Sequence, residues 1–282
     1  MIIDRLYERV KERGPLCTGL DLREDYLPDE IKNSDLTLGE KLFEFNKEII
    51  DATREISACF KIQIACYEAL GLEGLKAYAN TAKYLREKNE LVIGDIKRGD
   101  IGSTSKMYAQ GHFEGDFEVD MVTLNPYMGE DVVSPYYEYM DKKGVFMLAK
   151  TSNESSKDFQ DKLLENKKPL YLETLSKIRE WGSDFIGESG YSSIGAVVGV
   201  NHANELKLIR ENADKIFLLI PGYGAQGAEA KDIAYLLGSQ MSGVVNVSRG
   251  IIKDYDKLQK PWREALKIQA ENLRGGILDC LK

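Results

Sequence analysis

The amino-acid sequence predicts an α/β fold, and within that class a (β/α)8 TIM barrel, on three observations. Eight short apolar runs of strand length alternate along the 282 residues with segments whose apolar residues recur at helical spacing. The runs show little alternation of polar and apolar residues, which is typical of parallel strands covered on both faces. Eight such β/α units in about 250 residues is the number that a TIM barrel contains.

A doubly wound open sheet is the alternative arrangement of the same elements. Its dinucleotide-binding form carries a GxGxxG fingerprint after the first strand, and this sequence has none there. No stretch rich in Gly, Ser or Pro divides the chain, and no low-complexity tract interrupts it. We therefore expect residues 1–282 to form a single domain, with a long connection at about 151–192.

The first part of the chain supplies three strands and the helices between them. An amphipathic helix opens the chain, and PLCTGLD then reads as a short buried strand that ends at Asp21. Pro, Asp, Asn and Gly residues indicate a polar loop before the next helix. The expected elements are a helix at 3–13, a strand at 15–21, a helix at 40–56, a strand at 58–64, a helix at 67–88 and a strand from 91.

The remainder of the chain continues the alternation to the eighth strand. Asn125 and Pro126 end the fourth strand, and the aromatic-rich segment 128–142 is predicted to be a helix lying on the sheet. The expected elements are a helix at 104–111, strands at 119–124 and 144–149, a helix at 169–182, strands at 194–199, 215–220 and 244–247, helices beginning near Ala203 and Gly227, and a last helix at 261–275.

Composition argues against several classes of protein. The chain is 43% hydrophobic and 30% charged, which allows a sizeable core, and its formal net charge of −8 argues against a general nucleic-acid binder. No window is apolar over the length of a membrane span, so we expect no membrane partner. A local pocket on an acidic protein can still be positive and bind an anionic substrate.

The four cysteines and two histidines indicate no metal site. The cysteines form no CxxC, and no spacing typical of zinc ligands occurs. The settings of Cys17 and Cys59 resemble strand interiors, where a thiol behaves as a small apolar group. We expect reduced core cysteines and a cytoplasmic protein. His112 and His202 are expected in loops or at helix starts, with no catalytic part.

The most informative stretch is LVIGDIKRGDIGST at 91–104, which contains the predicted third strand. Its apolar run ends in Asp95, Lys97 and Asp100. Side chains alternate along a strand, so Asp95 and Lys97 project the same way while Ile96 faces the opposite side. Desolvating charges is costly unless they are paired, so this pair is the first candidate for chemistry. A surface salt bridge is the alternative interpretation.

The active site of a TIM barrel lies at the carboxyl ends of its strands, and this sequence places polar and charged residues there. They are Asp21 after strand one, Lys61 on strand two, Asp95, Lys97 and Asp100 at strand three, Asn125 after strand four, Thr151 and Ser152 after strand five, residues 221–226 after strand seven, and Ser248 and Arg249 after strand eight. Two other interpretations stay open: Lys61 as an outward-facing lysine, and Asp21 as a cap of the following turn.

The last two of these loops favour a phosphate site. PGYGAQGA is a glycine-rich turn that leads into a helix, and NVSRGI puts Arg249 beside a glycine just after strand eight. Backbone N–H groups, a helix N-terminus and one guanidinium together suit a phosphate. For either loop alone, glycines that only supply turns with positive φ are the alternative.

At these residues the sequence resembles the orotidine 5′-phosphate decarboxylase family. DIKRGDI fits the family's DxKxxDI signature, and Asp21, Lys61, the PGYGAQG loop, Ser248 and Arg249 follow in the expected order from strand one to strand eight. A related group of sugar-phosphate decarboxylases shares DxKxxD. The TLNPYMG segment and the long connection after strand five resemble the longer-chain branch of the family.

The resemblance implies that orotidylate is decarboxylated to UMP without a cofactor or a metal. Removing CO2 from C6 leaves a carbanion with no suitable electron sink beside it, so the protein must supply the electrostatics. By this resemblance Lys97 donates the proton to C6, and Asp95 lies near the departing carboxylate. Lys61 and Asp21 bind ribose hydroxyls.

The resemblance also implies a homodimer that shares its active sites. Asp100, with Thr104, is contributed across the interface to the ribose of the partner subunit's substrate. Ser152, or the adjacent Thr151, reads the pyrimidine edge. The residues implied at the phosphate are Gln226 and Arg249, with Gln226 also bridging toward the base as the loop after strand seven closes. Pro221 and Gly222 of the same loop are further expected substrate-binding residues.

Two other functions compete with this one. A metal-dependent decarboxylase or epimerase of a sugar phosphate forms an enediolate and needs Mg²⁺ held by carboxylates. Lys61 occupies the strand-two position where such a carboxylate is expected. A non-catalytic nucleotide-binding barrel would keep the phosphate loops but have no use for Lys97 facing Asp95.

Overall fold

The structure is a computed structural model that describes residues 1–199, 203–223 and 229–281. Within these residues eight parallel strands form a closed barrel, in which each strand pairs with the next and the eighth pairs with the first. The predicted (β/α)8 TIM barrel is confirmed. The strands are β1 (Leu16–Gly19), β2 (Cys59–Gln63), β3 (Val92–Arg98), β4 (Met121–Leu124), β5 (Gly144–Lys150), β6 (Ile194–Val198), β7 (Leu218–Pro221) and β8 (Gly243–Val247).

Helices surround the barrel and connect its strands. The α-helices of the described residues are α1 (Ile2–Arg13), α2 (Asp29–Lys32), α3 (Leu38–Thr53), α4 (Ile64–Glu68), α5 (Gly71–Glu87), α6 (Gly102–Phe113), α7 (Leu170–Trp181), α8 (Ala203–Asn212), α9 (Ala230–Leu237), α10 (Arg249–Ile252) and α11 (Trp262–Leu281). Short 3₁₀ segments lie at Glu24–Tyr26, Gly115–Phe117, Pro126–Val132, Ser134–Tyr139, Glu154–Asp158 and Asp254–Leu258.

The lower part of the barrel interior is apolar. Because side chains alternate along each strand, one residue in two faces inward. One buried cluster joins these inward residues to the apolar face of α1, which lies across the amino-terminal end of the barrel. Its members include Cys17, Cys59, Ile93, Met121, Phe146 and Val244 from the strands, Phe217 directly before β7, and Ile2, Leu6 and Val10 from α1.

Two residues further along, the inward positions become polar on β2, β3, β4 and β8, whereas Leu148 on β5 and Leu219 on β7 keep them apolar. Lys61 follows Cys59 at this interval, and Asp95 follows Ile93. Thr123 on β4 and Asn246 on β8 stand at the corresponding positions of their strands. The period of two therefore separates an apolar floor from a polar upper layer at the carboxyl ends, where the site is built.

The segment 128–142 does not form the predicted α-helix. It lies instead within two 3₁₀ segments, Pro126–Val132 and Ser134–Tyr139. Gly129 adopts a φ of 76°, which interrupts helical geometry, and Pro135 lacks the N–H that a continuous helix would use. The aromatic residues of this segment nevertheless pack in the core, since Tyr136 is fully buried against Phe113.

The predicted helix at 67–88 is also wrong as a single element. The chain forms α4 and α5 with a break between them, and Gly71 at the start of α5 has a φ of 61°. The polar loop after β1 contains the short helix α2, which loop composition did not indicate.

Several predictions outside the site can also be compared with the structure. Cys17 and Cys59 are buried on β1 and β2, and all four cysteines are free. His112 is buried in the last turn of α6, not in a loop or at a helix start, and His202 lies outside the described residues. In the part of the chain that the structure covers, no helix has both the length and the apolar character needed to cross a membrane.

Candidate active site

The carboxyl ends of the strands surround a cavity of about 720 Å³. Side chains from β2 through β8 reach it, as expected for a site at this end of the barrel. The predicted site residues that line it are Asp21, Lys61, Asp95, Lys97, Thr151, Ser152, Pro221, Gly222, Ser248 and Arg249, whereas Asn125 does not. Asp100 and Thr104 do not line it, and Gln226 lies outside the described residues.

The polar layer of the cavity is a row of alternating charges. Lys61 Nζ lies 3.1 Å from Asp21 Oδ1 and 3.0 Å from Asp95 Oδ2. Lys97 Nζ lies 2.5 Å from Asp95 Oδ1. The Lys61 side chain is 5% exposed and that of Lys97 is 46% exposed, so Lys61 is enclosed while Lys97 faces the open cavity. Lys97 is thus the ammonium with access to a bound molecule.

Asp95 is held as a carboxylate by four donors. Lys97 and the hydroxyl of Thr123 donate to Oδ1, and Lys61 and the amide of Gln63 donate to Oδ2. Burial by itself raises the pKa of Asp95, but the charges and hydrogen bonds of the two lysines outweigh it and hold that pKa well below its usual range. Asp95 therefore stays negative at neutral pH.

Lys61 is the buried cation of the row. Burial would lower its pKa, but the carboxylates of Asp21 and Asp95 raise that pKa above its ordinary value. The ammonium is consequently a fixed positive charge between two negative ones. Its position on the inward face excludes the interpretation of Lys61 as an outward-facing lysine.

The backbone of Lys97 departs from regular strand geometry. Its φ is 45°, in the left-handed region that side chains other than glycine seldom adopt. The pairing of β3 with β4 shifts between Gly94 and Arg98, on either side of this residue. The Lys97 N–H donates instead to Thr123 Oγ1 at 3.0 Å. A strained conformation at a charged cavity residue is an arrangement often found in active sites.

Asp21 is anchored from the neighbouring strand β8, on the side away from Lys61. Its Oδ2 accepts a hydrogen bond of 2.7 Å from the hydroxyl of Ser248, which itself accepts one of 3.2 Å from Asn246. Asp21 is thereby tied both to β8 and to Lys61, which is more than the cap of a local turn. The arrangement leaves one carboxylate facing the cavity beside a buried ammonium.

The loops after β7 and β8 border the other end of the cavity. Pro221, Gly222 and Tyr223 line it on one side, and Arg249 lines it on the other. Gly222 has a φ of 100°, a conformation that glycine adopts without the strain that a side chain would add. One guanidinium beside a glycine-containing loop can bind an anion.

The connection after β5 brings Thr151 and Ser152 to the cavity. The amide of Gln160 accepts from the Thr151 N–H and donates to the Thr151 hydroxyl, both at 2.8 Å. The Thr151 hydroxyl donates in turn to Asn153 at 2.7 Å. These bonds hold the start of the connection in a defined shape, with both residues lining the cavity.

Asp100 and Thr104 stand apart from their own chain's cavity. Asp100 Oδ1 accepts a 2.8 Å hydrogen bond from the N–H of Ile101, at the start of α6. Thr104 is exposed in the first turn of that helix. Within one chain, the row of alternating charges therefore consists of Asp21, Lys61, Asp95 and Lys97, and the predicted Asp100 does not join it.

Sequence reasoning missed several residues of the cavity. Gln63 and Thr123 bond directly to Asp95, and Arg23, Tyr26 and Asn246 line the same space. The alternation rule could have identified two of them, since Gln63 is two residues after Lys61 and Asn246 is two residues before Ser248. Among the described residues, no group of three or more His, Cys, Asp or Glu is arranged to hold a metal ion.

The chemistry available to this site is electrostatic. A buried carboxylate stands between two ammonium groups, one of which is accessible from a cavity that also carries a guanidinium. Such a site can bind a molecule through an anionic group at one end and stabilise negative charge that develops beside Lys97 at the other. The Lys97 ammonium can also supply a proton.

Known proteins resemble this chain over its whole length. The sequence model of the "Orotidine 5'-phosphate decarboxylase / HUMPS family" matches residues 14–261. The orotidine 5′-phosphate decarboxylase of Clostridium perfringens is 50% identical over 285 residues, covering 100% of this chain and 99% of the relative. That of Clostridium tetani is 49% identical over 285 residues, with the same coverage of 100% and 99%. The crystal structure of Plasmodium berghei orotidine 5′-monophosphate decarboxylase superposes with a TM-score of 0.81 at 25% identity, covering 99% of this chain and 98% of that one.

Proposed function

The chain belongs to the orotidine 5′-phosphate decarboxylase family, and from that premise we propose that its cavity converts orotidine 5′-phosphate to UMP and CO2 in pyrimidine biosynthesis. The observation that carries the proposal is the charge row, in which Lys97 is exposed to the cavity while Asp95 and Lys61 are buried beside it. The full-length similarity to enzymes named for this reaction supports the choice of substrate.

In the proposed reaction, Lys97 is the proton donor. The bond between C6 and the carboxylate carbon breaks, CO2 leaves, and the electron pair stays on C6. The Lys97 ammonium, 2.5 Å from Asp95, stabilises that charge and then transfers a proton to C6. The neutral amine regains its proton from solvent before the next turnover. These steps need no electron sink from a cofactor, so we propose a reaction without cofactor or metal.

Asp95 has a second proposed part in the same step. Its negative charge is fixed by four donors and lies beside the place where the substrate carboxylate would bind. Repulsion between the two anions would disfavour the bound substrate relative to the transition state, in which CO2 becomes neutral. The contacts from Lys61 and Lys97 keep Asp95 charged while this happens.

The remaining substrate is proposed to extend across the cavity. Lys61 and Asp21 bind ribose hydroxyls, and Ser152 or Thr151 reads the pyrimidine edge. Phosphate binding far from the reacting carbon supplies energy for closing the site. The residues proposed at the phosphate are Pro221, Gly222, Arg249 and, outside the described residues, Gln226.

We propose a homodimer as the working unit, acting in the cytoplasm. Asp100 and Thr104 are absent from the cavity lining of their own chain, which supports their use in the partner subunit's site. They would contact the ribose of the substrate bound there. Each site would then combine Lys97 of one chain with Asp100 of the other.

The experiment that tests the function follows the ultraviolet absorbance of orotidine 5′-phosphate on addition of the purified protein. The wild type should decarboxylate it, and Lys97→Ala should lower kcat by about 10²- to 10⁴-fold, the usual contribution of a positioned proton donor. UMP should still bind the variant, because the phosphate end is unchanged. Lys83→Ala on the exposed face of α5 is the matched control and should keep wild-type kcat.

Three results separate the proposal from its competitors. Full activity in excess EDTA supports the metal-free reaction, whereas a loss restored by Mg²⁺ favours the sugar-phosphate chemistry. UMP binding without any turnover favours a nucleotide-binding barrel. Unchanged turnover in Lys97→Ala would contradict the role of Lys97.

A further inference from the structure

The Thr123 hydroxyl makes two hydrogen bonds to β3, one to the backbone N–H of Lys97 and one to the carboxylate of Asp95. Thr123 is 1% exposed on the inward face of β4. Its Oγ1 accepts the N–H of Lys97 at 3.0 Å and donates its proton to Asp95 Oδ1 at 2.8 Å. Both capacities of the hydroxyl are therefore used, one on each of the two central residues of the charge row.

The geometry of β3 makes this hydroxyl necessary. Pairing with β4 runs through Gly94 and resumes only at Arg98, so the Lys97 N–H finds its acceptor in the Thr123 side chain. The same residue has a φ of 45°. A left-handed conformation in a residue with a side chain persists only where surrounding contacts determine it. The hydrogen bond to Thr123 is such a contact.

The contacts close into a ring. From the Lys97 N–H the ring passes through Thr123 Oγ1 to Asp95 Oδ1, and returns to Lys97 through its own Nζ, 2.5 Å from that oxygen. The backbone N–H of Lys97, through Thr123, and its side-chain Nζ, directly, are thus both connected to Asp95 Oδ1. A change at the hydroxyl alters the backbone from which the Lys97 side chain extends, and it removes one of the two donors on that oxygen.

We propose that Thr123 is a positioning residue, which fixes the Lys97 ammonium and the Asp95 carboxylate relative to each other. The inference rests on the proposed catalytic role of these two residues. Thr123 sets the direction of the ammonium by holding the strained backbone at Lys97. Thr123 therefore affects the chemical step, in which negative charge develops at C6, more than it affects the affinity for the nucleotide.

The test compares one substitution that removes the hydroxyl with one that removes only the methyl group. Thr123→Val keeps the branched shape and removes the hydroxyl, whereas Thr123→Ser keeps the hydroxyl. Misplacement of a reacting group by about 1 Å costs on the order of 100-fold in rate. We expect Thr123→Val to lower kcat for orotidylate by about 10- to 100-fold, with KM and the Kd for UMP within about threefold of wild type. Thr123→Ser should restore kcat to within about threefold.

Thr18→Val is the matched control for loss of a buried strand hydroxyl. Thr18 lies on β1, is fully buried, and shares a 2.8 Å hydrogen bond with Ser57, away from the cavity. We expect this variant to keep wild-type kcat at a temperature where it remains folded. A similar fall of kcat in Thr18→Val and Thr123→Val would overturn the inference, because the effect would then be general.

Two further outcomes also decide the matter. A kcat in Thr123→Val within twofold of wild type, or a Thr123→Ser variant as slow as Thr123→Val, would overturn the positioning role. Failure of the proposed function is recognised separately, because then the wild type leaves orotidylate unchanged or Lys97→Ala turns it over normally. The comparison of Thr123 variants is interpreted only after both of those measurements agree with the proposal.

Discussion

At the residue scale, the chemistry of the cavity depends on the number of donors around Asp95. Four donors occupy its two oxygens, and two of them are ammonium groups. A carboxylate that is 9% exposed would ordinarily lose stability as an ion, so these donors are the reason that it stays charged. In return, the carboxylates of Asp21 and Asp95 raise the pKa of the buried Lys61 above its ordinary value.

The charged members of this network could be predicted from sequence; of the neutral ones, the alternation rule reaches Gln63, two residues after Lys61, but no local signal indicates Thr123. Asp95 and Lys97 stand out because charges interrupt an apolar strand and the period of two puts them on one face. Gln63 and Thr123 sit in KIQIA and MVTLN, where a neutral polar residue is unremarkable. Their importance comes from partners on neighbouring strands, which a local pattern does not contain.

His112 allows a prediction about stability and pH. Burial, with Arg98 nearby, lowers its pKa from 6.5 to about 4, so the folded protein keeps this imidazole neutral where the unfolded chain would protonate it. The resulting stability is complete above pH 6.5 and is lost as the pH falls toward 4. Between pH 7 and pH 5 the free energy of unfolding should fall by about 2 kcal/mol more in wild type than in His112→Phe.

Denaturant unfolding at fixed protein concentration measures this difference. The substitution removes the titrating group, and the ring of His112 already lies 6.4 Å from that of Phe117 in apolar surroundings. Other titrating groups contribute equally to both proteins, so only the difference between the two pH profiles is interpreted. Parallel profiles would show that His112 is protonated to the same extent in both states.

At the scale of elements, the long connection after β5 is held by a buried lysine. The Lys150 side chain is 1% exposed at the end of the strand and forms an ion pair with Asp161 of the connection. It also lies 3.6 Å from Glu205 of α8 and 5.3 Å from the ring of Tyr171. One ammonium thus fastens the strand, the connection and two helices together, next to Thr151 and Ser152.

Lys150→Met should loosen the connection. It leaves two carboxylates without their cation, and removal of one partner of a buried pair is strongly destabilising. Because Asp161 is about one-third exposed, we expect a loss of about 2 kcal/mol in the free energy of unfolding, less than for a fully buried pair. KM for orotidylate should rise and proteolysis should become faster within 151–169.

Lys157→Met is the control for this prediction. Lys157 belongs to the same connection, but its ion pair with Glu154 is largely exposed, and such pairs contribute little. Its KM and its cleavage pattern should remain those of wild type. Equal changes in the two variants would mean that the connection responds to any lost positive charge.

Helices and strands were predicted well where the spacing of apolar residues determines them. They were predicted poorly where a single glycine or proline interrupts that spacing. The strands and the long helices follow from apolar spacing. The segment 128–142 has helical spacing too, but Gly129 and Pro135 divide it into 3₁₀ segments. The break before Gly71 has the same origin, because one backbone conformation there overrides a continuous pattern.

At the scale of the whole molecule, the row of charges that lines the cavity of one chain ends at Lys97. Asp100 and Thr104 are on α6 or directly before it, outside the cavity that Lys97 faces. The repeat of strands and helices predicted the barrel because eight β/α units are the number that a TIM barrel contains and the GxGxxG fingerprint of the alternative open sheet is absent. A shared site depends on a second chain, and we propose it from the family resemblance together with the position of these two residues.

Mixing two inactive chains tests the shared site. Asp100→Asn and Lys97→Ala should each be nearly inactive alone. After mixed refolding, half of randomly paired dimers contain both chains, and each has one intact site, so activity should recover to about a quarter of wild type. Absolute inactivity of the mixture, with mixed dimers verified by mass, would place Asp100 in the site of its own chain.

The ladder that closes the barrel joins β1 to β8, and its partners Cys17 and Asn246 are 229 positions apart in the chain. Pairs so distant form late, because the entropy of closing a long loop must be overcome first. On the ribosome, Asp21 emerges 227 residues before Ser248 and can meet it only after that second residue has been released. Nascent chains therefore carry an open edge on each terminal strand, and chaperone demand should be greatest before the last strand docks.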